Sequence, residues 1–591
     1  MLNIQSIKDN CALIFFIALF LLSFIFFNIF ISSAFFIINI SITPFVFILS
    51  FLLSTLTNLH LAKKNDIFKK NKIRNISITI VMPIIIILLA IFVNGKVLDY
   101  SWDGNSYQKA TTGLLANGWN PLYEDYETFD ATAKQPIRIR DESPTYIDHY
   151  PRAVSIFAAN VYKFTGNIET GKCLNTICII MLFCFTISFL LHKNKSFIFS
   201  LLFSICAITY SIVCAQFLTN YIDLIVYTFF YLLVYLFFAF EEENFILSKK
   251  DLLFLFFMVL VLSINIKVSL FGYAGVFCLG YYIWYIYRFV KNKIDKKFFI
   301  EFSIISAISV LLGVFVVGLA VYPKNLIEHG HPFYPLMGKD KVEIMIQNQP
   351  DYFKNKSPLE KFTIATFSKV ANITADSKKE AEYKIPFTFD DEETSIISAV
   401  DTRISGNGVL FGGILIISLI LSCCCLYNLF KIDKKVFTMY AIFFSITLML
   451  ILFLNEAWWA RYFPQIYLVV LASILLLNRY ANKKFFLFIQ YAFIAILLVN
   501  NFITFYNAVS LGYRKNVIYN TNFSAFENEN YNKGTTFIIY TKSFHGAKYN
   551  IMDKYRDYSF VFKSDYSDKN GTEKKFFDGL LEWRCEKWWI I

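Results

Sequence analysis

The feature that most constrains this chain is a series of uncharged apolar runs, many of them close to 20 residues long. A helix of about 20 residues spans the hydrocarbon core of a bilayer, because it rises about 1.5 Å per residue. Charged residues make up 17% of the sequence and hydrophobic residues 56%, whereas soluble globular proteins carry about 25% and 45–50%. The sequence therefore predicts an all-α polytopic membrane protein and excludes a soluble enzyme, a disordered chain and a fibre.

Charges that interrupt the apolar runs divide them into predicted membrane spans. The run 251–290 is too long for one crossing and is divided at residues 265–267, whereas 153–166 is too short and is predicted to be a membrane-surface helix. The thirteen predicted spans are 11–29, 34–61, 77–94, 170–191, 197–215, 222–240, 252–265, 269–288, 298–321, 408–430, 436–455, 462–478 and 485–506.

Lys and Arg residues are distributed unequally between the two sets of short loops that these spans define. One set holds 21 of them, and the opposite set holds only Lys267 and Arg461. Positive charge accumulates on cytoplasmic loops, so we expect a cytoplasmic amino terminus and an extracytoplasmic carboxyl terminus. The net charge of +12 then follows from topology, and no nucleic-acid partner is predicted.

The predicted spans and loops divide the chain into five parts. The tail is predicted to be a small α/β segment, because 535–542 and 558–563 alternate like strands and 572–583 has a helical pattern. The parts are an N-terminal hairpin with a basic loop (1–76), a transmembrane module (77–321) with the first outer loop (95–169), a large outer loop (322–407), C-terminal transmembrane helices (408–506) and the outer tail (507–591).

Several ionisable residues stand at span ends on the predicted outer side. Lys267 lies at one turn, Arg461 follows Glu456 at another, and Asp223 follows Asn220 at a third. Charged side chains are costly in lipid, so those near spans often face a cavity and mark a functional site. Snorkelling to the interface explains each residue alone, whereas a shared outer-face site explains the set.

The first outer loop carries an acid, a histidine and an arginine at its two ends. Asp103 precedes a predicted helix at 106–117, and His149 and Arg152 close the loop before the surface helix. Asp103 has an alternative role as the N-cap of that helix, since Asp is favoured there. The pattern favours one extramembrane site that receives side chains from both ends of the loop.

This loop resembles that of the GT-C membrane glycosyltransferases. It follows an early span, opens with an acidic residue and a helix that contains Tyr107, and closes with a His–Pro element. The segment 325–338, with His329-Gly-His-Pro-Phe-Tyr-Pro, is similar to an element of bacterial members of this group, and the resemblance covers about residues 77–340. It implies a GT-C-like catalytic module, a polyprenyl-phosphate-linked sugar donor and a catalytic first-loop Asp.

One departure from the GT-C pattern concerns metal binding. Many relatives have Asp-Glu or Asp-x-Asp where this chain has Trp-Asp103-Gly, and a single carboxylate is a weak site for a divalent cation. No metal ligand is therefore assigned, and a divalent metal is the one cofactor that the sequence leaves open.

Sugar transfer from a lipid phosphate requires a base for the acceptor and cations for the departing phosphate. We assign the catalytic roles to Asp103 and His149, and donor-phosphate binding to Lys267, Arg461 and Arg152. A base opposite the leaving group implies inversion at the anomeric carbon. The expected partners are the donor, a glycan or lipid-linked acceptor and membrane lipid, in a bacterial cytoplasmic (inner) membrane. The residues assigned to substrate contact are Tyr107, Asp223, Asn220, Glu456 and Arg403.

Two other functions remain open on the sequence. A polymerase or ligase of O-antigen or capsule would need the same outer-face cations. A lipid-linked glycan transporter would place ionisable groups near the bilayer midplane and often contain inverted repeats, whereas the predicted span centres are nearly free of charge. The sequence has no phosphate-binding loop, dinucleotide-binding glycine motif or zinc-protease motif, so ATP-driven pumping and nicotinamide chemistry have no signature.

Overall fold

The structure is a computed structural model that describes residues 4–65, 72–126, 129, 143–342, 348–375, 377–527, 536–541, 544–563, 574–576 and 581–585. Its helices are α1 (Ile4–Ile37), α2 (Pro44–Lys64), α3 (Lys72–Gly95), α4 (Lys109–Ala116), α5 (Ser143–His149), α6 (Ala153–Thr165), α7 (Cys173–His192), α8 (Phe197–Ile208), α9 (Ser211–Gln216), α10 (Asp223–Phe240), α11 (Lys249–Ile266), α12 (Val268–Val290), α13 (Lys296–Leu312), α14 (Tyr322–His329), α15 (Pro358–Phe367), α16 (Asp391–Ile396), α17 (Phe411–Ile432), α18 (Lys434–Phe453), α19 (Gln465–Asn478), α20 (Lys484–Glu527) and α21 (Lys548–Lys554).

Ten helical segments within the described residues are long and apolar enough to cross a membrane. The chain is therefore a multi-pass α-helical membrane protein. The ten segments contain α1, α2, α3, α7, α10, α12, α13, α17, α18 and α20. The three remaining predicted spans fall on the shorter helices α8 and α19 and on α11, whose first turn is charged, so the number thirteen stays a prediction.

The centre of the bundle is formed by α1, α7 and α10, while α3 and α13 lie at its periphery. Apolar side chains of α3, such as Leu88 and Phe92, are exposed, as expected for a helix that faces lipid. Buried aromatic rings fill the centre, with Phe15 of α1 packed edge-on against Phe185 of α7. The apolar runs therefore account for both the lipid-facing surface and the core.

The first outer loop differs from its prediction at the start of its helix. A π-helical turn, Gly104–Gln108, precedes α4, and the Asp103 side chain makes no capping hydrogen bond to it. The N-cap alternative for Asp103 is therefore wrong. The predicted helix at 153–166 is confirmed as α6, but Phe157 and Val161 bury one side of it in the core of the bundle.

The C-terminal segment contains four strands, β1 (Thr536–Thr541), β2 (Ser559–Lys563), β3 (Lys574–Phe576) and β4 (Leu581–Cys585). They form a sheet of order β2-β1-β4-β3, with β1 parallel to β2 and antiparallel to β4. The strands predicted at 535–542 and 558–563 agree with β1 and β2, but the helix predicted at 572–583 is wrong, because β3 and β4 occupy its described part. Residues 581–585 form a strand because they pair with β1. Such pairing between segments that are distant in the sequence overrides the helical pattern of the local residues.

The helix α20 continues without interruption from the bundle to a small core beside this sheet. Its 44 residues extend over about 66 Å at about 1.5 Å per residue, about twice the thickness of a hydrocarbon core. Tyr519 and Phe523 near its end pack with Phe537 and Ile539 of β1 in a separate small core. The predicted tail therefore begins as a continuation of the last membrane helix.

Candidate active site

Four charged side chains from four separate segments meet at one end of the bundle. A terminal nitrogen of Arg461 lies 2.7 Å from Oδ2 of Asp103, and its Nε lies 3.0 Å from Oδ2 of Asp223. The Nζ of Lys267 lies 2.5 Å from the other Asp223 oxygen. We call these four residues, Asp103, Asp223, Lys267 and Arg461, the charge cluster. We call the end of the bundle at which they lie the loop end.

Helix ends place each member of the charge cluster. Asp103 precedes the π-helical turn, and Asp223 is the first residue of α10, where the helix dipole favours an anion. Lys267 has an extended backbone between α11 and α12, and Arg461 lies in the one-turn helix Ala460–Tyr462 before α19. Helix reversals at the same end of the bundle therefore bring distant residues together.

The charge cluster is mostly buried, with Asp103 as its most accessible member. The exposed fractions of the side chains are 1% for Asp223, 7% for Arg461, 13% for Lys267 and 20% for Asp103. Buried charges require partners, and the two cations match the two carboxylates. Burial lowers the pKa of Arg461, but Asp223, Tyr462 and Asp103 outweigh it and raise that pKa above its ordinary value. Arg461 is therefore always charged.

Aromatic rings surround the two cations. The Arg461 guanidinium lies 4.7 Å from the ring centre of Tyr221 and 5.1 Å from that of Trp459, and the Lys267 ammonium lies 4.2 Å from that of Tyr462. Cations are attracted to aromatic faces, more strongly where water is excluded. The rings therefore hold the cations in place while the N–H groups of the cations contact the carboxylates of Asp103 and Asp223.

Two further groups contact the acids of the charge cluster. The Tyr107 hydroxyl donates a long hydrogen bond of 3.4 Å to Oδ2 of Asp103, and burial raises the pKa of Tyr107, which keeps the hydroxyl protonated. The Gln216 side chain donates to Oδ2 of Asp223 at 3.1 Å. Sequence reasoning singled out Tyr107 as a substrate contact, and it lies beside the predicted base.

Asn220, Arg403 and Glu456 lie around the charge cluster and do not pair with it. Asn220 donates from its backbone and side chain to Asp99 at 2.9 and 2.8 Å, and the Arg403 guanidinium lies 5.2 Å from the Trp459 ring centre. Burial raises the pKa of Glu456, which forms no hydrogen bond or ion pair with the charge cluster within the described residues.

Arg152 lies away from the charge cluster, and its donors are already occupied. Its guanidinium donates to the carbonyls of Ile147 (3.0 Å) and Ala320 (2.9 Å) and pairs with Asp148. The side chain is buried, and burial lowers the pKa of Arg152 to about 10. Arg152 therefore joins the end of the first outer loop to the segment before α14.

His149 also lies outside the charge cluster, in a group with α14. Its Nδ1 lies 2.9 Å from Oδ1 of Asn325, and its ring packs edge-on against the rings of His329 and Tyr334. Burial lowers the pKa of His149. The tyrosines 107, 146 and 150 separate this group from Asp103, with successive ring centres 5.0 Å apart. The catalytic role of His149 stays a prediction.

Sequence reasoning did not anticipate a buried triad formed by two residues of the first outer loop, Lys109 and Glu169, and by Lys172 just after it. Glu169 accepts from Lys109 at 2.5 Å and from Lys172, and all three side chains are at most 1% exposed. The Asn550 side chain of α21 donates to Glu169 at 2.7 Å. Lys109 also donates to Oδ1 of Asn105, four residues earlier, at 2.8 Å. Each charged residue alone resembles a solvent-facing charge, and the four-residue spacing of Asn105 and Lys109 is the one local signal of this network in the sequence.

Fold and site together define a polytopic α-helical membrane protein with a buried, charge-balanced cluster at one end of its bundle. No protein-family model matches the chain, and no curated protein sequence matches it. The chemistry of the cluster therefore has to be argued from its own residues.

Proposed function

We propose that this protein is a GT-C-type membrane glycosyltransferase that moves a sugar from a polyprenyl-phosphate-linked donor to an envelope glycan or lipid-linked acceptor, with inversion. The contact between Asp103 and Arg461 is the observation that carries the proposal. It joins the most accessible carboxylate of the charge cluster to a phosphate-binding type of side chain. Such a pair supplies both groups that transfer from a lipid phosphate requires.

The loop end faces the extracytoplasmic side of a bacterial cytoplasmic membrane in this proposal. The support is the distribution of Lys and Arg over the short loops, with 21 on the short loops of the opposite side and only Lys267 and Arg461 on the short loops of this side. Nucleotide sugars are absent outside the cytoplasm, so a lipid carrier is the consistent donor. The charge cluster also lies at helix ends, which is the depth in the membrane at which the phosphate of a lipid is expected.

In the proposed reaction, Asp103 accepts the proton of the acceptor hydroxyl as that oxygen bonds to the anomeric carbon. The bond between the anomeric carbon and the phosphate oxygen breaks, and Arg461 and Lys267 stabilise the charge that develops on the phosphate. Asp223 orients both cations without being consumed. Arrival of the donor phosphate at Arg461 releases Asp103 from its ion pair, so the base becomes free only when the donor is bound.

The test is complementation of a deletion strain followed by analysis of its envelope glycans. Asp103→Asn keeps the shape of the side chain and removes the base, so it is expected to reduce sugar transfer by about 10²–10⁴-fold. Asp351→Asn is the matched control, because Asp351 is exposed and pairs with Lys354 on the surface. Full transfer by the Asp103 variant would refute the assignment of the base.

The same glycan analysis separates the two enzymatic possibilities. Loss of one sugar from an otherwise complete glycan identifies a transferase. Shortened chains, or chains not joined to their lipid anchor, identify a polymerase or ligase that uses the same cations. Loss of the complete glycan from the envelope, with accumulation of its finished lipid-linked precursor inside the cell, identifies a transporter.

A further inference from the structure

A second group of polar side chains lies apart from the charge cluster, where the end of the first outer loop meets α14. It consists of His149, the last residue of α5, and of Glu328 and His329, which end α14. One ligand atom of each residue lies within 4.8 Å of those of the other two. Among the described residues, these three side chains lie close enough together to hold a metal ion.

The hydrogen bonds of Asn325 determine which nitrogen of His149 is free. The Asn325 amide group donates to the carbonyls of His149 (3.1 Å) and Tyr334 (2.9 Å), so its Oδ1 faces Nδ1 of His149 at 2.9 Å. An acceptor at this position requires a proton on Nδ1 and leaves a lone pair on Nε2. Metal-binding histidines are oriented in the same way, by donating their other ring N–H to an oxygen.

The ring of His329 is also fixed in position. It stacks on Tyr334, with ring centres 3.7 Å apart and an angle of 8° between the planes, and meets His149 edge-on. Within the described residues, the ring nitrogens of His329 and the carboxylate of Glu328 have no hydrogen bond or ion pair. Three donor groups therefore converge with free lone pairs, two of them on half-buried rings.

We propose that His149, Glu328 and His329 form a binding site for a transition-metal ion, with Zn²⁺ as the preferred metal. Two imidazoles and one carboxylate are a typical Zn²⁺ ligand set that leaves the fourth position open, and imidazole ligands disfavour Mg²⁺ and Ca²⁺. The ion would join the first outer loop to α14. This inference does not depend on the proposed glycosyl transfer, and it replaces the predicted catalytic role of His149 with a ligand role.

The position of the site gives the metal a structural consequence. Arg152 already connects the same loop to Ala320, and Lys324 of α14 donates to Asp148 at 2.9 Å. A metal bound by His149, Glu328 and His329 would add a further connection between the same two segments, beside these contacts and the hydrogen bonds between Asn325 and His149. Metal removal is therefore expected to weaken the attachment of the loop, and with it the position of the tyrosines beside Asp103.

The test measures zinc in the full-length protein purified in detergent, by elemental mass spectrometry after dialysis against zinc. The wild-type chain is expected to retain about one zinc ion, and His149→Ala, Glu328→Gln and His329→Ala are each expected to reduce its affinity by about tenfold or more. His331→Ala is the matched control. His331 lies two residues after His329, and its Nδ1 accepts a hydrogen bond from the backbone N–H of Phe333. This variant is expected to retain zinc.

Thermal unfolding gives a second readout for variants that fold poorly. A chelator is expected to lower the unfolding temperature of the wild-type protein and of His331→Ala, and added zinc is expected to restore it. Equal zinc content in wild type and the His149 variant, or equal loss in the His331 variant, would overturn the proposal. Asp103→Asn should keep its zinc, so failure of the metal site and failure of the proposed catalysis are distinguishable.

Discussion

Asp223 directs one carboxylate oxygen to Nε of Arg461, at 3.0 Å, and the other to Lys267. It is therefore the residue that holds both cations at the loop end. With 1% of its side chain exposed, it has no access to solvent that could replace either partner. The arrangement makes Asp223 a structural requirement of the charge cluster, separate from any chemistry at Asp103.

Substitution of Asp223 by Asn is expected to destabilise the protein. The change leaves two cations with one carboxylate in a buried site, and breaking a buried ion pair in this way costs about 3–5 kcal/mol. Thermal unfolding in detergent measures the effect. Asp351→Asn, at an exposed ion pair, should unfold like the wild type. Identical unfolding of the Asp223 variant would contradict the buried pairing.

Substitution of Arg461 by Lys is expected to impair transfer far more than folding. Lysine keeps the charge but loses the planar group that reaches Asp103 and Asp223 together and packs on Tyr221. Loss of such a donor typically reduces turnover by about 10²–10³-fold. The measurement is transfer from a polyprenyl-phosphate-linked sugar by purified protein.

A matched control for this variant exists at the opposite end of the bundle. Arg479 pairs with Asp433 at 3.2 Å in a half-exposed position, so Arg479→Lys should retain full transfer. Equal activity of the two variants would show that Arg461 does not bind the donor phosphate.

Reporter fusions test the proposed orientation. Alkaline phosphatase, which is active only outside the cytoplasm, is expected to be active when fused after Ile591 and inactive when fused at the turn after α7, near Asn194. The reason is the excess of Lys and Arg in the short loops on the side of the membrane where Asn194 lies. The opposite pattern of activity would place the charge cluster in the cytoplasm and exclude a lipid carrier as the required donor.

The attachment of the C-terminal segment is expected to depend on pH through Asp553. Its carboxylate accepts from the Tyr162 hydroxyl and the Ile168 backbone N–H, both at 2.7 Å, and burial raises the pKa of Asp553 from 3.8 to about 6. The folded form therefore binds this proton more tightly than the unfolded form. The resulting stabilisation is complete below the ordinary pKa and is lost as the pH rises through about 6.

The stabilisation lost is up to about 3 kcal/mol, because the pKa of Asp553 is raised from 3.8 to about 6. Thermal unfolding between pH 4 and pH 8 measures it as the difference between wild type and Asp553→Asn, whose amide cannot ionise. The variant should gain relative stability as the pH rises. A constant difference across this range would contradict the raised pKa.

The sequence predicts the helices well, because backbone groups in a bilayer have to form hydrogen bonds within a helix. It also singles out Lys267 and Arg461, because positive charges are rare in the short loops of the predicted outer side. It does not reveal that Arg152 faces Ala320, since the partner lies on a distant segment. Nor does it reveal β4, whose state depends on pairing with β1.

Because helix α20 is uninterrupted, the number of residues in it determines the geometry of the segments that it joins. Asn516 accepts from the backbone N–H of Leu98, at the start of the first outer loop, and Phe523 packs under the sheet. Insertion of one residue before Asn516 would rotate everything beyond it by about 100° and displace it by about 1.5 Å. The number of residues between the bilayer and Asn516 therefore sets the angle and height at which the C-terminal sheet meets the loop.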